Sequence, residues 1–282
     1  MALPEEPYTR VERYLARLAG QNVDIPEYPI TRIECYLDYL CENGGDVPAP
    51  TAGAHNAVFR GASLGTEYTA EQASTIESGE FSGMYVGDYW TIDNIIYRIA
   101  GFDVFLWRGT STGFSKHHVV IVPDESLGNA AMNETDTAVG GYLGTAMRNT
   151  VLPEVSTALQ SKFGEGSLLS HQTLLTGAIS GGEASSWQWQ TVAAAPMSET
   201  MVYGFQAWGK GSVYNIGERL GQLPLFALAP EYISMTPRGE YWLMDVTGND
   251  SFATVQTYFR PGTAKASSSL ALRPYFLLGR AS

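Results

Sequence analysis

The chain carries a clear β-hairpin signal in Tyr89-Trp90-Thr91-Ile92-Asp93-Asn94-Ile95-Ile96-Tyr97-Arg98-Ile99. Aromatic and β-branched residues, which favour strands, fill the two runs, and Asp93-Asn94 between them is typical of a tight turn. Similar short runs recur along the rest of the chain. Further strands are predicted at residues 104–107, 118–122, 186–192, 241–246, 252–258 and 272–278.

Two helices are predicted in the same part of the chain, one before these strands and one among them. The first begins at the capping box Thr69-Ala70-Glu71-Gln72 and ends at Gly79. The second has Pro153 in its first turn and presents an apolar face before Gly164. Because strands and helices do not alternate regularly, the predicted class is α+β rather than a doubly wound α/β sheet.

The composition excludes several classes of protein. Of the 282 residues, 16% are charged and 12% are aromatic, whereas disordered chains and long coiled coils need the opposite balance. The net charge of −12 disfavours nucleic acid as a partner, because a polyanion would be repelled. No apolar run is long enough to span a membrane, so no membrane insertion is expected.

The N-terminal region contains a repeat. Thr9-Arg10-Val11-Glu12 recurs as Thr31-Arg32-Ile33-Glu34, and the Thr and Glu of each copy can form a capping box. An apolar stripe at helical spacing follows in each copy: Val11, Tyr14, Leu15 and Leu18, then Ile33, Tyr36, Leu37 and Leu40.

The repeat and the composition after it divide the chain into three predicted segments. Residues 1–43 are predicted to be a two-helix repeat for docking or oligomerisation, and a small helical hairpin packed on the main domain is the alternative. The Gly/Pro-rich residues 44–53 are predicted to be a linker, and residues 54–282 the main domain.

One short motif suggests hydrolase chemistry. Gly109-Thr110-Ser111-Thr112-Gly113 matches the G-x-S-x-G nucleophile elbow, which needs a strand before it and a helix after it. A strand is predicted on both sides here, so we favour a hairpin turn and expect no catalytic residue.

Metal and cofactor signals are weak. Adjacent strand residues point to opposite faces, so His117 and His118 are not expected to share a metal. Asn133-Glu134-Thr135-Asp136 offers oxygen ligands without the count and spacing of a known calcium loop. No phosphate loop, dinucleotide fingerprint or redox cysteine pair is present, and we predict no metal and no cofactor.

The C-terminal part of the chain has the composition of a binding surface. Residues 205–215 and 247–260 combine Tyr, Trp and Phe with Asn, Ser, Gly and Arg, which supply rigid contacts and adaptable hydrogen bonds. Ordinary loops whose aromatic residues pack on the core are the alternative. The predicted ligand-binding residues are Trp208, Tyr214, Asn249, Asp250, Gln256, Tyr258, Arg260 and Lys265.

A set of motifs occurs in a characteristic order. The set comprises Gly87-Asp88-Tyr89-Trp90-Thr91-Ile92, Arg98-Ile99-Ala100-Gly101-Phe102-Asp103, residues 117–124, Met132-Asn133-Glu134-Thr135, residues 140–144, Leu223-Pro224-Leu225-Phe226, Tyr241-Trp242-Leu243-Met244-Asp245-Val246 and Leu272-Arg273-Pro274-Tyr275-Phe276-Leu277. Across residues 54–279 the chain resembles a family of phage virion-appendage proteins, either tail or head fibre-like. Their large domain is similar to the C-type lectin fold in its formylglycine-generating-enzyme form, which target proteins of diversity-generating retroelements also use.

The resemblance implies a non-enzymatic phage virion protein with a C-type lectin-like domain that binds a receptor or another ligand. The implied partners are a host cell-surface protein or glycan and, through residues 1–43, other virion proteins. A homo-oligomer, expected to be a trimer, would lie on the particle surface after assembly in the bacterial cytoplasm. A region varied by a retroelement would lie around residues 235–270.

Some family features are missing. Formylglycine-generating enzymes rely on cysteines in the catalytic domain, whereas Cys35 and Cys41 both lie in the N-terminal repeat. The calcium-and-sugar motifs of classical lectins are absent, and Met244 stands where the family usually has Arg. A structural decoration protein without a receptor role is the alternative function, and a hydrolase of cell-surface polymers is a third and less favoured one.

Overall fold

The structure, a computed structural model, describes residues 9–18, 24, 51–110, 113–211 and 221–280. The chain divides into two compact units, Met1–Pro50 and Thr51–Ser282. No helix in the described ranges is both long and apolar enough to cross a bilayer.

The first unit contains helix α1 (Arg10–Leu18). Its capping box is present as predicted: the Thr9 amide donates to Glu12 Oε2 at 2.8 Å and the Glu12 amide donates to Thr9 Oγ1 at 3.1 Å. Tyr14 is buried, but Leu15 is 51% exposed although it belongs to the predicted apolar stripe. The second copy of the repeat, both cysteines and residues 44–50 of the linker lie outside the described residues.

The second unit combines many strands with short helices. Its helices are α2 (Ala52–His55), α3 (Ala70–Glu77), α4 (Leu152–Phe163), α5 (Glu199–Tyr203) and α6 (Pro224–Leu228). Its strands are β1 (Ser63–Gly65), β2 (Tyr89–Ile92), β3 (Ile95–Phe102), β4 (Val119–Pro123), β5 (Asn129–Ala130), β6 (His171–Ser180), β7 (Glu183–Val192), β8 (Ala194–Pro196), β9 (Tyr241–Val246), β10 (Ser251–Val255), β11 (Pro261–Lys265), β12 (Leu270–Ala271) and β13 (Pro274–Leu278). The class is therefore mixed α+β, as predicted.

The strands form three sheets. A six-stranded sheet has the order β1-β2-β3-β4-β13-β8, a five-stranded sheet has the order β11-β10-β9-β12-β5, and β6 and β7 form a separate two-stranded hairpin. The last strand, β13, pairs with both β4 and β8. The last strand is thus an interior strand of the largest sheet, next to its edge strand β8.

The opening hairpin signal is confirmed. Strands β2 and β3 pair in antiparallel register from Tyr89 with Arg98 to Ile92 with Ile95. Asp93 and Asn94 both adopt positive φ, 51° and 63°, which is the geometry of a two-residue type I′ turn.

The prediction of a strand at residues 104–107 is wrong, because these residues form a turn. The chain leaves the sheet after Phe102, turns at Asp103 with φ 53° and turns again at Trp107 with φ 63°. The Trp107 amide donates to Phe114 O at 2.7 Å and closes a loop. Phe105 is buried while Trp107 is 71% exposed, so the apolar run marks a loop anchored by one ring.

The other predicted elements need smaller corrections. Helices α3 and α4 form where predicted, and the capping box of α3 is present between Thr69 and Gln72. The strand predicted at residues 252–258 stops at Val255, since Tyr258 and Phe259 adopt positive φ. The strand predicted at residues 272–278 begins at Pro274. Strands β1, β5, β6, β8, β11 and β12 were not predicted.

A buried ion pair braces the large sheet. Arg98 donates from Nε to Asp124 Oδ1 at 3.0 Å and from Nη1 to Gly87 O at 2.6 Å. Its guanidinium lies over the rings of Tyr232 and Tyr89, at 4.2 and 4.9 Å from their centroids. These contacts join three of the quoted motifs.

A second buried arginine joins the two large sheets. Arg273 is fully buried and donates to Pro123 O at 2.7 Å, to Ile233 O at 2.9 Å and to Tyr232 O at 2.9 Å. Its guanidinium also lies 5.2 Å from the ring centroid of Tyr241. We call the buried contacts of Arg98 and Arg273 the arginine frame.

Candidate functional site

The loop that joins β10 to β11 carries three of the predicted ligand-binding residues, Gln256, Tyr258 and Arg260. A fourth, Trp208, lies next to this loop. The Gln256 amide donates to Arg260 O at 2.8 Å, which closes the loop, and Trp208 Nε1 donates to Pro261 O at 3.1 Å. Trp208, Tyr258 and Phe259 are 52%, 65% and 41% exposed. The tip face is the set Trp208, Gln256, Tyr258, Phe259 and Arg260.

Three other predicted residues lie at the opposite end of the same hairpin. Lys265 forms an ion pair with Asp250, and Asn249 follows β9 in the connection to β10. Strand β10 has five residues and therefore separates the two ends by about 17 Å. The predicted residues do not form one face, and Tyr214 lies outside the described residues.

The loop that carries Trp208 is held by a buried carboxylate. Glu199, at the start of α5, is fully buried. Its side chain accepts from the amides of Ala207 at 3.0 Å, Trp208 at 2.9 Å and Gly209 at 2.8 Å. Charge-assisted hydrogen bonds of this kind are stronger than neutral ones. The backbone that carries the exposed indole of Trp208 is therefore held in one conformation.

A second carboxyl group lies beside the first. Asp245 Oδ2, from β9, accepts the backbone amide of Glu199 at 2.7 Å. Burial and the neighbouring charge of Glu199 raise the pKa of Asp245 above its usual value, because both disfavour the ionised form.

Asp245 also forms the floor of a solvent-open cleft. One wall is the β6–β7 hairpin with Trp187 and Trp189, and the other contains Ser198, Thr200 and Met244. The cleft encloses about 90 Å³ of space that solvent can enter. A smaller recess continues the cleft toward Gln206 and Lys210 and shares Thr176, Trp187, Thr200 and Asp245 with it.

The hydrolase motif does not have the surroundings of a nucleophile elbow. Residues 104–107 form a turn rather than a strand, and β4 follows the motif instead of a helix. Thr110 donates from its amide to Gln172 Oε1 at 2.7 Å, while Ser111 and Thr112 lie outside the described residues.

The candidate metal ligands have structural contacts. Asp103 binds the His117 ring at 2.7 Å and the His118 amide at 2.9 Å. Asn133 accepts the Ala146 amide at 3.0 Å, and Asp136 accepts the Ser267 amide at 3.1 Å. The described part of the chain contains no group of three His, Cys, Asp or Glu residues placed to hold a metal ion.

Four residues of this region were not predicted from the sequence: Trp187, Trp189, Glu199 and Asp245. Glu199 and Asp245 lie 46 residues apart in the sequence, and a single carboxylate does not reveal its partner. Trp187 and Trp189 did offer a signal, since residues two apart on a strand share a face. Comparison with known proteins adds nothing further, because no family model, curated protein or solved structure matches the chain.

Proposed function

We propose that the chain is a non-enzymatic phage virion protein. In this proposal residues 54–282 form a C-type lectin-like domain of the formylglycine-generating-enzyme type. The domain binds a protein or glycan of the host cell surface through the tip face.

The exposure of the tip face carries the proposal. Three large aromatic side chains, Trp208, Tyr258 and Phe259, are between 41% and 65% exposed, next to the cation of Arg260. Exposed apolar patches mark interaction sites and ligand-binding grooves, and Trp, Tyr and Arg dominate the binding energy of protein interfaces.

The rigidity of the supporting backbone favours the same role. Glu199 fixes the loop of Trp208 through three amides, and the side chains of Phe252, Ala253 and Val255 below the tip are buried. A preorganised face loses less conformational entropy when it binds.

Further support for the fold and the location comes from the resemblance of the ordered motifs to phage appendage proteins. The arginine frame connects those motifs through Gly87, Arg98, Asp124, Tyr241 and Arg273. In the same proposal residues 1–43 dock the chain to the particle and to sister chains.

Binding of the purified full chain to host cells tests the proposal. We expect the triple substitution Trp208→Ala, Tyr258→Ala and Arg260→Ala to abolish binding measured by flow cytometry. The matched control is the pair Asp250→Ala and Lys265→Ala, which removes charges from the other end of the same hairpin and should leave binding unchanged.

Equal binding by the wild type and the triple variant would refute the tip face. Immunogold labelling of the virion then separates the two virion roles. Label at the distal end of an appendage supports receptor binding, whereas label across the capsid lattice supports a structural decoration protein.

A further inference from the structure

A second site is suggested by the cleft between the β6–β7 hairpin and α5, which shares no residue with the tip face. Trp187 pairs with Thr176 and Trp189 with Leu174 across the hairpin. Directly paired residues share a face of the sheet, so one wall of the cleft carries two indole rings, an isobutyl group and a hydroxyl.

The two indoles lie about 7 Å apart along the strand, because each residue of a strand advances about 3.4 Å. Both side chains are only partly buried. Neither indole N–H has a partner among the described residues, as expected for partly exposed rings whose N–H groups can reach water. The cleft therefore offers two apolar ring faces together with two unused donors.

Polar groups surround these rings. Gln172 accepts Thr110 with its carbonyl oxygen at 2.7 Å, which leaves its amide NH₂ as a donor. Thr176 and Thr200 add hydroxyl groups, and Asp245 adds a carboxyl at the floor. An apolar surface with a few well-placed polar groups is what a specific ligand site requires.

We propose that this cleft binds a neutral oligosaccharide. A sugar ring has an apolar C–H face that packs on an indole and a rim of hydroxyl groups that exchange hydrogen bonds with amides, hydroxyls and carboxyls. Two indoles in succession fit two successive rings, and an open cleft accommodates a chain that continues beyond them.

Other ligands fit the cleft less well. The net charge of −12 disfavours acidic glycans and nucleic acids, although the cation of Arg108 lines the cleft. A peptide strand would seek unpaired backbone groups at a sheet edge, whereas the cleft presents the side-chain face of the hairpin.

The first test is an array of neutral, amino and acidic oligosaccharides of two or more rings, probed with the full chain in the presence of EDTA. We expect binding to neutral members, with EDTA present, because indoles and hydrogen bonds need no calcium. Binding to no neutral member, or only to acidic ones, overturns the proposal.

The second test locates the site with the best neutral oligosaccharide from the array. In ¹H–¹⁵N spectra the indole signals of Trp187 and Trp189, assigned with single Trp→Phe variants, should shift during the titration, and that of Trp208 should not. Unmoved signals from Trp187 and Trp189 would place the ligand elsewhere.

Affinity then separates the cleft from the tip face. Trp187→Ala with Trp189→Ala should raise Kd at least about tenfold, the effect of losing about one stacking contact. Trp208→Ala with Tyr258→Ala should leave Kd unchanged. If only Trp208→Ala with Tyr258→Ala raised Kd, the saccharide would bind at the tip face and the proposal would be overturned. If a tip-face variant lost binding to host cells but kept its affinity for the oligosaccharide, the two sites would be separate.

Discussion

The arginine frame and the tip face are built from the same residue types and use them in opposite ways. In the frame, Arg98 and Arg273 are buried and each lies against aromatic rings. At the tip, Arg260 and Tyr258 are exposed. Arginine and tyrosine thus stabilise the fold where they are buried. At the tip Arg238 still lies 5.0 Å from the ring centroid of Tyr258, but Tyr258 and Arg260 remain exposed and available for a ligand.

The largest expected effect is at Asp124, the carboxylate of the frame. Asp124→Ala leaves the guanidinium of Arg98 buried without its counter-charge. Removing one partner of a buried ion pair costs about 3–5 kcal/mol of the free energy of unfolding. Guanidinium chloride denaturation of the full chain measures this loss.

The matched control is Asp250→Ala, which breaks the exposed ion pair with Lys265. We expect no measurable change in the denaturation midpoint, because solvent screens an exposed pair. Equal losses in the two variants would show that the frame is no more important to stability than the surface.

Acidification should have the next largest effect. Burial, opposed by a hydrogen bond to the Lys116 carbonyl, lowers the pKa of His118 to about 4, and burial together with His118 lowers that of His171 to about 3. In the unfolded chain both titrate near 6.5. Between these values only the unfolded chain takes up protons, so stability falls as pH drops from about 6.5 to 4.

For His118 alone the loss at pH 4 is about 3 kcal/mol, at about 1.4 kcal/mol for each pKa unit. Asp245 works in the opposite direction, because its raised pKa adds stability as pH falls toward the usual carboxyl range. We therefore expect Asp245→Asn to lose stability more steeply than the wild type when denaturation is repeated from pH 7 to pH 4. A shallower loss in Asp245→Asn would contradict the raised pKa.

The smallest of the three effects is expected at Glu199, a buried residue that holds the exposed loop of Trp208. Glu199→Gln replaces one acceptor oxygen by a donor, so at least one of the four hydrogen bonds between the amides of residues 207–209 and the carboxylate is lost. We expect a loss of about 1–3 kcal/mol, the cost of an unsatisfied buried group. The same substitution removes a charge and should lower the pKa of Asp245.

Hydrogen exchange provides the second readout for Glu199→Gln. The amides of Ala207, Trp208 and Gly209 should exchange faster, while those of β13 should not. Unchanged protection at all three amides would mean that other contacts fix the loop.

Local elements of the fold could be predicted from the sequence better than the site. The β2–β3 hairpin and the caps of α1 and α3 depend on neighbours a few residues apart, and all three were predicted. The grouping of the ligand residues failed because Asn249 and Gln256, close in the chain, are separated by the length of β10. The contacts of Glu199 with residues 207–209 and Asp245 depend on the tertiary fold, which no local pattern encodes.

The left-handed backbone of the tip restricts the amino acids that can replace its residues. Tyr258 and Phe259 have φ of 61° and 64°, where β-branched side chains are outliers, whereas Arg260 has φ of −76° and tolerates any of them. Val, Ile and Thr are therefore disfavoured at two positions of the tip and accepted at the third. Mutations that place Val, Ile or Thr at Tyr258 or Phe259 should therefore destabilise the loop itself, whatever ligand the variant is tested against.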